Sequence, residues 1–191
     1  MLFVSLLIIG YLLGSVPFGL LLAKIFASTD IRNFGSKNIG ATNVNRVLGK
    51  KLGIATFLLD AFKGVIIILL AKHYWHLDFI NLVAIASMAV LGHIFSIYLK
   101  FQGGKGVATF LACTVALQPF LGLAGLFLWL SIYMIFKISS IAGIFSCLLI
   151  GLFAGLFGFA FWQHLIWLAL AIIIVAKHWQ NILRLINKTE K

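Results

Sequence analysis

The sequence predicts an all-α integral membrane protein: seven transmembrane helices in one polytopic domain over residues 1–191, N-terminus outside and C-terminus cytoplasmic. Three observations carry this. First, 63% of the 191 residues are apolar and only 10% charged, with a mean hydropathy of +1.14. A soluble domain carries about 25% charged residues, so there is too little polar surface here for a soluble globular enzyme. The 18 Phe and 5 Trp equally exclude a disordered chain. Second, the apolar residues fall into runs of the roughly 20 residues that a membrane-spanning helix requires. Third, 15 Lys and Arg against 4 Asp and Glu give a net charge of +11, and the cations gather in short clusters between the runs. That is the positive-inside pattern of cytoplasmic loops, not the continuous basic helix of a nucleic-acid binder. No nucleic-acid partner is expected; membrane lipid is, and such loops attract anionic headgroups or phosphorylated substrates.

The elements follow in order. The first run, 3–25, is not a cleaved signal peptide, because its first charge is Lys24 and it has no small-x-small cleavage site. It therefore stays in the membrane and leads into a basic loop, 26–51, on the inside. Spans 52–71 and 80–99 come next, then a long apolar stretch, 107–176, interrupted at Lys137. The part 138–176 holds two helices hinged near Phe161-Trp162-Gln163-His164. The part 107–136 is too long for one upright helix, and parity decides its reading. One crossing would leave Lys177, Arg184, Lys188 and Lys191 outside, while two crossings turning at Gln118-Pro119 bring them inside. Pro119 lacks a backbone donor and suits that turn. The loops 26–51 and 100–106 and the tail 177–191 are then cytoplasmic, with Lys72 the sole external Lys or Arg. Gly151, Gly155 and Gly158 read as a small-residue face between helices. Cys113 and Cys147 lie in apolar runs as packing residues, with no disulfide or metal-ligand spacing.

The chemistry sits in three polar segments. The stretch Thr29–Gly49 is dense in Asn, Ser, Thr and Gly, and Arg32 and Arg46 supply forked cationic donors, an inventory that suits phosphate. Gly103-Gly104-Lys105-Gly106 precedes an apolar run, so its backbone N–H groups, the following helix N-terminus and Lys105 are expected to converge on an anion. It is not a Walker A loop: Gly106 follows the lysine and Leu99 stands where the first glycine would be. In the tail, His178 and Asn181 are three apart and share a helix face. Asp60 and Lys63, buried in a span at the same spacing, are expected to pair. His93 and Lys100, seven apart, are expected to share a face behind the glycine loop. The His73/Asp78 spacing of the common acyl-CoA-dependent glycerolipid acyltransferases is present, but on the outer side and remote from these segments. His73 and His76 have no better standing as a metal pair.

Together these segments resemble the bacterial acyl-phosphate-dependent glycerol-3-phosphate acyltransferase family. The likeness is carried by Gly14-Ser15-Val16-Pro17-Phe18-Gly19, Asp30-Ile31-Arg32, Gly35-Ser36, Asn38 to Val44, Arg46, Asp60 and Lys63-Gly64. It continues in Gly92-His93-Ile94-Phe95, in Gly103 to Thr109, and in His178, Asn181-Ile182, Arg184-Leu185 and Glu190. Ser96, Gln102 and Lys188 depart from the family's usual proline, lysine and glycine, and Glu190 is read as structural. The resemblance implies an enzyme of the bacterial cytoplasmic membrane with its active site on the cytoplasmic face. It would move a fatty acyl group from acyl phosphate to the 1-hydroxyl of glycerol 3-phosphate, giving lysophosphatidic acid and phosphate, with no cofactor and no metal. It assigns Ser36, Arg46, Lys105 and His178 to the glycerol phosphate. The loop Gly103, Gly104 and Gly106, with Asn181, would hold the acyl phosphate, and Asn38 and Thr42 would line the site. Ser36 lacks an adjacent His and a nucleophile-elbow pattern, which favours binding over a covalent role. The expected reaction is direct attack of the hydroxyl on the acyl carbonyl, with His178 or a substrate phosphate oxygen taking the proton. The rival reading, an anion transporter, would need a midplane site and paired repeats.

Overall fold

The computed structural model describes residues 1–190, so Lys191 at the end of the basic tail lies outside the described residues. Those residues form ten α-helices joined by short turns, with no strand among them. The first apolar run is broken: α1 (Leu2–Ser15) and α2 (Phe18–Ala27) meet at Val16-Pro17 with a 40° bend, as expected where proline removes a helix donor. The basic loop is not irregular throughout, because Ala41–Leu48 forms α3. Next come α4 (Lys50–His73) and α5 (Phe79–Ile94). The helix α5 stops short of the expected 80–99, its last turn being a separate 3-10 turn over Ile97–Leu99. That places Lys100, in a left-handed conformation, off the face of His93.

The stretch 107–136 does turn at Gln118: α6 (Val107–Leu117) ends there and α7 (Pro119–Phe136) starts with the proline at its first position. The helix α8 (Ser139–Phe153) follows. The hinge before α9 (Phe161–Lys177) lies earlier than expected, in the 3-10 turn Ala154–Phe157 and at Gly158, whose φ is +88°. Phe161–His164 belong to α9 itself. Gly158 is thus a turn residue and not part of a packing face, whereas Gly151 packs as expected, its missing Cβ lying 2.7 Å from that of Ala171. The chain ends in α10 (Trp179–Ile186), bent 53° from α9.

Four single stretches are long and apolar enough to cross a membrane: Lys50–His73, Phe79–Leu99, Pro119–Phe136 and Ser139–Phe157. The two bent pairs raise this to six, and α6 is a shorter apolar helix. Large apolar side chains such as Phe127, Ile135 and Leu156 face outward, which in a bilayer costs nothing. Inside, Phe110 stacks on Trp167 with ring centroids 5.0 Å apart, and both are fully buried. Cys113 and Cys147 are buried and free.

Candidate active site

The site is assembled at the ends of helices, where backbone groups are unpaired and polar side chains gather. On the first polar segment, Asn43 is the organiser. Its Oδ1 accepts from the Ser36 N–H at 2.8 Å, while its Nδ2 lies 2.8, 3.0 and 3.3 Å from the carbonyls of Asn38, Phe34 and Ile31. One buried amide thereby gathers the loop and presents Ser36. Asn38 Oδ1 accepts from the Gly40 N–H at 2.8 Å and sets the start of α3. Thr42 and Arg46, four apart on α3, then share a face, and Ser139 Oγ at the start of α8 lies 3.2 Å from Thr42 Oγ1. Arg32 departs from expectation. Its guanidinium is turned back onto Asp30 at 2.6 Å, and this pairing holds the Asp30 carboxyl at about 2.

The glycine loop also differs from its reading as a phosphate cradle. The Gly104 N–H donates to the His93 carbonyl at 2.9 Å and the Gly103 N–H to the Ile94 carbonyl at 3.2 Å. Those two donors are spent on α5 and do not converge on an anion. Lys105 is the group the loop delivers: its Nζ lies 2.5 Å from Asn181 Oδ1. Burial pushes its pKa down to about 8, opposed by the negative charge of Glu190.

At the α9–α10 bend, His178 is buried, with Nδ1 2.8 Å from the Ile174 carbonyl. That contact assigns the proton to Nδ1 and leaves Nε2 as an acceptor. Burial, and then the charge of Lys105, push His178 down to about 4, so it is neutral at pH 7. Glu190 folds back over α10. It accepts from Asn181 Nδ2 at 2.5 Å, from Arg184 Nε at 2.5 Å and from Ser140 Oγ at 3.0 Å. Burial disfavours its charge, but these donors outweigh that and hold the carboxyl below its ordinary value.

These groups surround one pocket with about 150 Å³ of internal room. Ser36, Asn38, Thr42, Arg46, Lys105, Gly106, His178 and Asn181 all line it; Gly103 and Gly104 do not. The apolar side chains of Phe57, Leu111, Leu126 and Trp129 line it as well. Arg32, Lys37, Gly103 and Lys177 line a separate cavity that shares only Asn38 with the first. Asp60 and Lys63 pair at 2.9 Å, as their spacing implies, and His93 Nδ1 faces Asp60 at 3.6 Å. Asp60 and His93 both reach the pocket wall; sequence reasoning placed the Asp60–Lys63 pair near the site and His93 behind the glycine loop, and missed only that they line the pocket. It also missed the Asn43 hub and the reach of Glu190 and Ser140. The available signal was their polar character amid apolar neighbours, which does not name a partner. His73 and Asp78 line neither cavity. Among the described residues no group of three or more His, Cys, Asp or Glu is placed to hold a metal.

Comparison with known proteins gives a consistent result. A family model described as glycerol-3-phosphate acyltransferase matches residues 4–188. A glycerol-3-phosphate acyltransferase of Campylobacter lari is 47% identical, the match covering 96% of this chain and 95% of that protein. One of Aliarcobacter butzleri is 45% identical, covering 96% and 92%. Among solved structures, PlsY, described as an integral membrane glycerol 3-phosphate acyltransferase, superposes in its glycerol 3-phosphate form with a TM-score of 0.93. Its identity is 37%, over 100% of this chain and 95% of that one. Its lysophosphatidic acid form gives 0.89 at 35% identity, with the same coverage. The chain belongs to the glycerol-3-phosphate acyltransferase family.

Proposed function

We propose that this protein transfers a fatty acyl group from acyl phosphate to the 1-hydroxyl of glycerol 3-phosphate, releasing lysophosphatidic acid and inorganic phosphate. The observation that carries the reading is the mixed lining of one pocket. Arg46, Lys105, His178, Asn181 and Ser36 line it together with the apolar Phe57, Leu111, Leu126 and Trp129. Both substrates are phosphate anions, and only one carries an acyl tail. The glycerol 3-phosphate and lysophosphatidic acid forms of the similar PlsY correspond to the acceptor and the product.

In the proposed mechanism Lys105, Arg46 and Ser36 hold the glycerol phosphate, and Asn181, Gly106 and the start of α6 receive the acyl phosphate. The hydroxyl oxygen attacks the acyl carbon, the bond from that carbon to the phosphate oxygen breaks, and phosphate leaves with the electron pair. The hydroxyl proton passes to His178 Nε2 or to a phosphate oxygen. Phosphate is already a good leaving group, so positioning and charge stabilisation suffice, and the step calls for no cofactor, metal or acyl-enzyme. The site would face the cytoplasm of a bacterial inner membrane. We count seven crossings there: the four long stretches, α1 with α2, α9 as far as the bend at His178, and the shorter α6, with the N-terminus outside and the C-terminus inside.

The test is phosphate release from a long-chain acyl phosphate by purified protein, with and without glycerol 3-phosphate, beside an acyl-CoA control. Release that requires glycerol 3-phosphate and forms lysophosphatidic acid is expected, with acyl-CoA inert. Absence of turnover by a folded sample overturns the reading and favours anion transport. Lys105→Ala is expected to lower kcat/KM on the order of 100-fold without loss of fold.

A further inference from the structure

Behind the glycine loop lies a charged cluster that the proposed chemistry does not use. Asp60 and Lys63 of α4 and His93 of α5 are all buried within the bundle. Lys63 Nζ pairs with Asp60 at 2.9 Å and also donates at 2.9 Å to the Val16 carbonyl, at the break between α1 and α2. Ionisable groups at such a depth are costly, and nothing about helix association demands this set.

Two contacts run from the cluster to either side of Lys105. On one side, the His93 carbonyl takes the Gly104 N–H, and the Nε2 tip of the His93 ring points at Gly104. A Cβ built on Gly104 would sit 2.1 Å from His93 Nε2, and one on Gly103 would sit 2.1 Å from the His93 carbonyl oxygen. On the other side, Thr109 Oγ1 in the first turn of α6 donates to the Asp60 carbonyl at 2.9 Å. The His93 ring in turn faces the Asp60 carboxylate at 3.6 Å through an Nδ1 with no other partner.

We infer that His93 is a positioning residue for Lys105, and that Gly103 and Gly104 are glycines because the end of α5 occupies the space their side chains would fill. In this arrangement the loop is a seat for His93, and the phosphate is met by Lys105 beyond it. The inference rests on the acyl-transfer reading above, since that reaction is its readout.

A double-mutant cycle in the phosphate-release assay tests it, with Gly104→Ala, His93→Ala and the pair, each variant purified and shown to have a cooperative thermal transition. Gly104→Ala should lower kcat/KM by about 100-fold, because small misplacements near reacting groups cost that much. Shrinking the ring should restore at least about tenfold of the loss, a coupling typical of residues in contact. In His93→Ala alone, the KM for glycerol 3-phosphate should rise, and the alkaline limb of the pH profile should move upward as water reaches Lys105. Should His93→Ala fail to fold, His93→Asn, whose amide takes the place of Nδ1 toward Asp60 and leaves the Nε2 end of the ring empty, replaces it in the cycle. Multiplicative losses with no rescue would show that the Gly104 backbone serves the substrate directly, and would overturn the inference. So would a His93 variant with an unmoved pH limb. An inactive wild type would instead remove the acyl-transfer reading itself, so the two failures are distinguishable.

Discussion

Lys105 is held between opposing demands. Burial disfavours its ammonium, and Arg184 and Arg46 add repulsion, yet Glu190 close by favours the charged form; the balance leaves it at about 8. A phosphate-binding ammonium must be protonated, so kcat/KM is expected to be level near pH 7 and to fall as pH rises through about 8. Glu190→Gln removes the one anion favouring the ammonium, so the limb should move to lower pH. A limb that stays put would show that Glu190 acts only as a clamp on Asn181 and Arg184. His178, held near 4, is neutral across this range and contributes no limb of its own above about pH 5. The residue types needed for this site were legible in the sequence. Their hydrogen-bond directions were not: Asn43 reads as one more loop donor, yet its amide contacts four backbone groups and presents Ser36.

Among the elements, α1 and α5 cross at glycines that leave no room for a side chain. A Cβ on Gly14 would lie 2.1 Å from the Ala89 carbonyl oxygen, and one on Gly92 would lie 2.2 Å from the Tyr11 carbonyl oxygen. Gly14→Ala or Gly92→Ala is therefore expected to destabilise by about 1–3 kcal/mol through overpacking, read as a lowered thermal transition in detergent. An unchanged transition would mean that the helices can separate freely. The GxxxG spacing of Gly10 and Gly14 was open to inspection, as was that of Gly151 and Gly155. Only contact tells them apart. Gly10 and Gly14 both face α5, whereas Gly155 falls in the turn after α8, against the His164 ring. The crossing also ties two helix ends near the site, through Tyr11 Oη to the Phe95 carbonyl at 2.6 Å and Ser96 Oγ to the Ser15 carbonyl at 2.5 Å.

At the scale of the whole molecule, the parity of crossings decides on which side the pocket opens. The two native thiols are buried, so a single introduced cysteine reports topology against a low background. A membrane-impermeant thiol reagent should label His76→Cys in intact cells and Asn187→Cys only after permeabilisation, both positions being exposed. Labelling of Asn187→Cys from outside would invert the proposed arrangement. Residue chemistry and spacing by themselves determined that this chain lives in a bilayer, roughly where its helices run, and which three segments carry polar chemistry. They could do so because hydrocarbon penalises every exposed polar group, so each span and each break in one is written locally. Only the tertiary structure decided that Gly103 and Gly104 turn their donors toward α5, that Arg32 is spent on Asp30, and that Glu190 closes back on Asn181 and Ser140. A residue type states what a side chain is able to bond, and only packing fixes which partner lies within reach.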